Sequence, residues 1–148
     1  MQGLKSILVP IDGSEASNKA LQTALDLATM YRSRLFVISV LTPPAFMPVG
    51  SVAAPMDLTD YYEKGNQDAK RMIDEALKLA QNDGVPARGE VISGPGSTAD
   101  CIAGVATKEK VDLLVMGSRG LGGLKKLVLG SVSSAVLSKA PCPVLLVR

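Results

Sequence analysis

Two patterns of apolar and polar positions take turns along this chain. Ile7-Leu8-Val9-Pro10-Ile11 is apolar at every position and stops at the turn residues Asp12-Gly13-Ser14. A run with no polar face suits a strand covered on both sides, the usual state of strands in parallel sheets. After Ser14 the period changes. Ala20, Leu21, Ala24, Leu25, Ala28 and Tyr31 recur at steps of three and four and define one face of a helix. Ser14 is placed to cap it. Residues 35–41 then form a second buried strand.

Residues 42–58 break both patterns. They hold Pro43, Pro44, Pro48 and Pro55 with almost no charge, which predicts a long loop. A helix is predicted over 59–82, with Ala69, Met72, Ile73, Ala76, Leu77 and Ala80 inward and Asp83-Gly84-Val85-Pro86 as its stop. Residues 88–92 alternate, which places them near a sheet edge. Ser97-Thr98-Ala99-Asp100 fits a capping box for a helix that turns Ala99, Ile102, Ala103 and Ala106 inward. Residues 112–117 form a fourth strand. A glycine-rich stretch follows, then a helix over 131–139 and a fifth strand, Val144–Val147.

Strand and helix thus alternate from end to end, without repeat or linker. Such alternation requires right-handed crossovers and a parallel sheet with helices on both faces. One α/β domain over 1–148 is expected. Pattern alone does not compute the strand order. In the order 3-2-1-4-5 the winding reverses between strands 1 and 4, and a ligand belongs at their carboxyl ends. Those ends are Pro10-Ile11-Asp12 and Val115-Met116-Gly117.

Composition narrows the chemistry. The 148 residues carry 16 Lys+Arg against 14 Asp+Glu, a net charge of +2, with two cysteines and no histidine or tryptophan. No histidine means no Ser-His-Asp or Cys-His engine and no histidine metal site. The aromatics, 3% of the chain, offer little for stacking single-stranded bases, and +2 is small for a footprint on duplex DNA. No nucleic-acid partner is expected. Cys101 and Cys142 form no C-x-x-C pair and are expected as small buried apolar residues. No apolar window reaches membrane length and no signal-like start is seen, so a cytoplasmic protein without membrane contact is expected.

The strongest chemical signal is Gly117-Ser118-Arg119-Gly120, nine further residues, then Gly130-Ser131. It begins where strand 4 ends and finishes where the last helix starts. Peptide N–H groups of Ser131, Val132 and Ser133 should be unpaired donors there, in a dipole that favours an anion. The hydroxyls of Ser131 and Ser133 are two further candidate donors, and Arg119, Lys125 and Lys126 add positive charge. The plainer reading is that the five glycines between 117 and 130 only make turns. Residue types alone leave both open.

With those residues the chain resembles the universal stress protein family, in its nucleotide-binding branch, over nearly the whole length. The family's G-x-x-G-x9-G-[ST] is met by Gly117, Gly120, Gly130 and Ser131. Residues 7–14 resemble its first strand and turn, and residues 140–147 its last strand. The resemblance implies an adenine nucleotide alpha hydrolase-like fold with sheet order 3-2-1-4-5. It also implies bound ATP; since no carboxylate cluster in the sequence offers a cage, Mg²⁺ is expected to arrive on the nucleotide, held mostly by phosphates and water. The implied contacts are Pro10, Ile11, Asp12, Val40, Met116, Gly117, Ser118, Arg119, Gly120, Leu121, Gly122, Gly123, Gly130, Ser131, Val132 and Ser133. Asp12 would accept from ribose or adenine, Val40 would offer its backbone to the adenine edge, and Gly117 would lie under the ribose. Arg119 to Gly123 and Ser131 to Ser133 would wrap the phosphates. Plainer readings stand beside two of these roles: Asp12 as a helix-start turn residue, and Val40 as core.

Other motifs carry less. Gly94-Pro95-Gly96-Ser97-Thr98-Ala99 matches a relaxed dinucleotide fingerprint but follows the third strand, and reads as a turn and helix start. The P-loop pattern with its lysine is absent. Asp57, Asp60 and Glu63 read as a solvated helix start. Three functions follow: an ATP-binding regulatory or stress-response module that changes protein partners, a slow ATP hydrolase or phosphotransferase, or a nucleotide-free dimeric interaction module. Hydrolysis, if any, is expected to be weak, because nothing in the sequence supplies a base.

The last strand, Val144–Val147, is apolar throughout and would lie at a sheet edge, where an unpaired strand invites association. A two-fold partner offering the same strand would cover it, as the resemblance also implies. Light scattering at micromolar concentration should therefore give a dimer; a monomer there would refute the pairing.

Overall fold

Strand β1 (Ser6–Pro10) is apolar on both faces because both faces are covered: Ile7, Leu8 and Val9 are fully buried. Helix α1 (Glu15–Tyr31) starts where the Ser14 hydroxyl accepts from the Ser17 N–H at 3.1 Å, and ends at Arg32 in the left-handed conformation. The remaining elements are β2 (Arg34–Val40), α2 (Pro55–Asn82), β3 (Ala87–Ile92), α3 (Thr98–Glu109), β4 (Leu113–Gly117), α4 (Ser131–Lys139) and β5 (Val144–Val147). The computed structural model describes residues 3–41, 55–119 and 129–148, with backbone alone for 55–58. Residues 42–54 of the expected proline-rich loop lie outside the described residues. Among those described, no helix is long and apolar enough to cross a membrane.

The strands form one parallel sheet in the order β3-β2-β1-β4-β5. Side chains alternate across it. Ile7, Val9, Leu35, Val37 and Val115 face α1 and α2, while Leu8, Phe36, Ile38, Leu114 and Met116 face α3 and α4. Two aliphatic half-cores therefore share one sheet, which explains why β1, β2 and β4 are apolar without alternation. The capping box at α3 is complete: the Ser97 hydroxyl accepts from the Asp100 N–H, and the Asp100 carboxylate accepts from the Ser97 N–H. Lys139 also pairs with Asp100, and these bonds lower the Asp100 carboxyl to about 2.

Three expectations need correction. Helix α2 begins at Pro55, four residues before its expected start at 59. Proline suits the first helical position, where an N–H would have no partner, so a proline cluster did not mean loop to its end. Tyr31 is 55% exposed, not on the inner face. The 17 residues of α1 span roughly 25 Å, whereas the five of β1 span roughly 17 Å. The buried face of α1 ends at Ala28, and both Met30 and Tyr31 of its last turn are exposed. Cys101 and Cys142 are half-buried, not buried; Cys142 packs on the rim of the α3–α4 core.

The two ends of the β1–β4 pair differ. At the start, Asp112 Oδ2 accepts from the N–H of Lys5 and of Ser6 at 2.9 Å each and from the Ser6 hydroxyl at 3.2 Å. The Asp112 N–H donates back to the Ser6 carbonyl. Burial pushes the Asp112 carboxyl up, but these hydrogen bonds outweigh it and hold it below the usual range. At the other end the β1–β4 register stops at Leu8↔Leu114, although β1 pairs β2 through Pro10↔Ile38. The carboxyl ends of β1 and β4 open apart.

Asp112→Ala should cost about 1–3 kcal/mol in urea unfolding, because it strips the buried Ser6 of two partners. The folded-state pKa lies below the unfolded value near 3.8, so this contribution is present above pH 4 and lost as pH falls through the lower folded value. Asp112→Asn should show a shallower acid limb than wild type; an identical limb would contradict the clamp.

Candidate functional site

The crevice between β1 and β4 opens into a pocket of about 340 Å³, within the roughly 300–1,000 Å³ range of small-molecule sites. Helices that follow parallel strands begin at the sheet's carboxyl edge, so α1, α3 and α4 all present their first turns here. Ser14 and Ser17 of α1, Thr98 and Ile102 of α3, and Gly130 to Ser133 of α4 line the walls. The three N-termini are finished differently. Ser14 caps α1 and Ser97 caps α3, whereas α4 starts at Gly130 with no side-chain cap. Its first described backbone bond is from the Ser134 N–H to the Gly130 carbonyl. Among the described residues nothing takes the N–H groups of Ser131, Val132 and Ser133.

One end of the pocket is cationic and the other apolar. Arg119 lies beside the uncapped turn of α4. Val40, at the end of β2, lines the side away from β4. β2 and β4 are separated by β1, two strand spacings or roughly 10 Å. Asp12 is exposed between these ends. Its Oδ1 accepts from the Ser14 N–H at 2.9 Å, and its own N–H donates to the Ser17 hydroxyl at 3.0 Å. The turn after β1 is thus closed internally, and among the described residues Oδ2 has no partner. Among the described residues no group of three or more His, Cys, Asp or Glu could hold a metal.

Of the residues expected at the site, Pro10, Ile11, Asp12, Val40, Met116, Gly117, Arg119, Gly130, Ser131, Val132 and Ser133 all line this pocket. Ser118 does not. It is buried, donating its N–H to the Val147 carbonyl and accepting from the Gly130 N–H at 2.9 Å. Gly120, Leu121, Gly122, Gly123, Lys125 and Lys126 lie outside the described residues. The Ser133 hydroxyl, expected as a free donor, is instead bonded to the carbonyls of Ser118 and Gly130. The side chains missed are Ser14, Ser17, Thr98 and Ile102. Once α3 follows a strand of a parallel sheet, its first turn must reach the same edge, so Thr98 and Ile102 were recoverable from topology.

The two framing glycines serve different ends. A Cβ on Gly117 would sit 2.9 Å from the backbone carbon of Ala16, so this glycine lets α1 pack against β4. Gly130 has φ −64° and ψ 158°, which any residue adopts, and a Cβ there would find its nearest neighbours at 3.4 Å. Neither the backbone nor the packing of the described residues demands glycine at 130.

The model of the universal stress protein family matches residues 3–148. The chain is 37% identical over 144 residues to the universal stress protein in the QAH/OAS sulfhydrylase 3′ region of Thermus aquaticus, covering 97% of this chain and 98% of that one. Its structure is similar to that of UspA from Lactobacillus plantarum, with TM-score 0.87, 23% identity and full coverage of both chains. It is also similar to a universal stress protein in complex with cAMP (TM-score 0.70, 24% identity, 97% of each chain). A third likeness is to an Arabidopsis thaliana family protein with AMP bound (TM-score 0.65, 19% identity, 97% and 90% of the chains).

The glycines can be separated by stability alone. Gly117→Ala should lose about 1–3 kcal/mol through the clash with α1. Gly130→Ala should stay within about 1 kcal/mol of wild type. Equal losses in urea unfolding would show that the two positions have been misread.

Proposed function

The chain belongs to the universal stress protein family, and on that premise we propose that it is an ATP-binding regulatory module of the stress response, acting in the cytoplasm. The observation that carries this reading is the uncapped start of α4, which opens beside Arg119 on a pocket whose other two helix starts are capped. Backbone N–H groups at a helix start favour a phosphate through hydrogen bonding and the dipole together. β2 and β4 lie roughly 10 Å apart across β1, and a nucleotide laid across them from Arg119 toward Val40 would place its base at the apolar end. Relatives with cAMP and AMP bound support adenine as the base.

In this reading the residues do the following. Gly130 leaves phosphate space that a side chain would fill, and Ser131 to Ser133 donate their N–H groups. Arg119 neutralises charge, with Gly120, Leu121, Gly122 and Gly123 wrapping the same phosphates. Ile11, Val40, Met116 and Ile102 enclose the base and ribose, and Asp12 offers Oδ2 to a hydroxyl or amino group. Asp12 is the single acid among the described lining residues. Mg²⁺ would therefore be held mostly by phosphate and water, with at most this one carboxylate. That set binds and orients a triphosphate but offers no second carboxylate or histidine to move a proton from water. Binding, with hydrolysis weak at most, is the function proposed for the single domain 1–148. Pairing of two chains along β5 belongs to the same proposal, as does a partner protein that reads nucleotide occupancy.

Mass spectrometry of nucleotide released from the purified protein should find ATP. Gly130→Val should remain folded and lose at least roughly tenfold in ATP affinity, about 1.4 kcal/mol. Protein that is empty and has no measurable ATP affinity would end this reading, and unchanged affinity in Gly130→Val would show the phosphates lie elsewhere.

A further inference from the structure

Ser133 lines the pocket, yet its side chain is committed elsewhere. The residue is 2% exposed, and its Oγ lies 2.8 Å from the Ser118 carbonyl oxygen and 3.1 Å from that of Gly130. A hydroxyl has one proton. Given to a carbonyl, it leaves only lone pairs, and an ionised phosphate oxygen has no donor to offer them. We infer that Ser133 is a positioning residue: its hydroxyl latches Ser118 to the first turn of α4 and so sets the spacing between Arg119 and the helix N–H groups. This deepens the nucleotide reading and rests on it.

The latch is double. The Ser118 carbonyl accepts from the Gly130 N–H at 2.9 Å as well as from Ser133, and the Ser118 N–H is held by Val147 of β5. Residue 118 is fixed from both sides of its own backbone. The chain leaves this point at Arg119 and returns at Gly130, where an ideal Cβ would lie 3.4 Å from the Arg119 Cα. Two sources of positive potential that are distant in sequence, a guanidinium and a helix start, are thereby brought to one place. Preorganised donors of this kind bind an anion without first spending free energy on ordering. Val40, at the proposed base end, takes no part in the latch.

Ser133→Ala is a clean test because it orphans nothing: the Ser118 carbonyl keeps the Gly130 N–H. Three quantities are read on wild type and variant: hydrogen exchange at the Gly130 amide without nucleotide, ATP affinity, and adenosine affinity. The latch predicts faster Gly130 exchange in the nucleotide-free variant. It also predicts ATP binding weakened roughly tenfold, the scale of one net hydrogen bond. Adenosine binding should change by less than about twofold, within that scale's scatter. Unchanged exchange with lost ATP affinity would make the hydroxyl a direct ligand and overturn the inference. So would unchanged ATP affinity, or equal losses for ATP and adenosine. Wild-type protein that binds no adenine nucleotide would instead sink the nucleotide reading, and the inference with it.

Discussion

The structure depends on how β1 is held. Its start is fastened to β4 by the Asp112 carboxylate, which collects three hydrogen bonds from Lys5 and Ser6. Its carboxyl end leaves β4 after Leu8↔Leu114 and stays with β2. A pair of parallel strands closed at one end and open at the other is a wedge. The opening lies at the point where winding of the sheet reverses, so no crossover helix fills it. The pocket, the three helix starts around it and the close approach of α1 to Gly117 all follow from that wedge.

Around the wedge, capping divides the labour. Ser14 and the Ser97–Asp100 box satisfy the first turns of α1 and α3 from within the protein, which makes those turns rigid walls. The first turn of α4 is left with its donors facing the pocket, and its geometry is secured from behind by Ser118 and Ser133. Unsatisfied backbone donors destabilise a helix end modestly. Retaining them at one terminus of three, next to the lone lining arginine among the described residues, concentrates positive potential at one end of the pocket.

Much of this is legible in the sequence. Nearly continuous apolar runs at β1, β2 and β4 point to strands covered on both faces, and the steps of three and four in α1 and α2 point to helices. Ser97 and Asp100 announced a capping box that the structure contains in full. The glycine spacing from 117 to 130 pointed to the β4–α4 connection. What misled were features whose meaning depends on a neighbour. Pro55 could end a loop or begin a helix, and Tyr31 keeps the helical period but falls after Ala28, the last buried residue of α1. Ser133 looked like a free donor because its acceptor, the Ser118 carbonyl, is 15 residues away in sequence.

The sequence by itself determined the alternation of strand and helix, the aliphatic double-sided core and the positions of the caps. Each of these is set by residue types within a few positions of one another. Only the tertiary structure decided the strand order, and with it which loops share an edge. It also decided that Gly117 is demanded by α1 whereas Gly130 is not, and that the Ser133 hydroxyl is bonded to the Ser118 carbonyl. Those are relations between segments distant along the chain. They arise when the sheet folds up around β1, and no local pattern encodes a distance across that sheet.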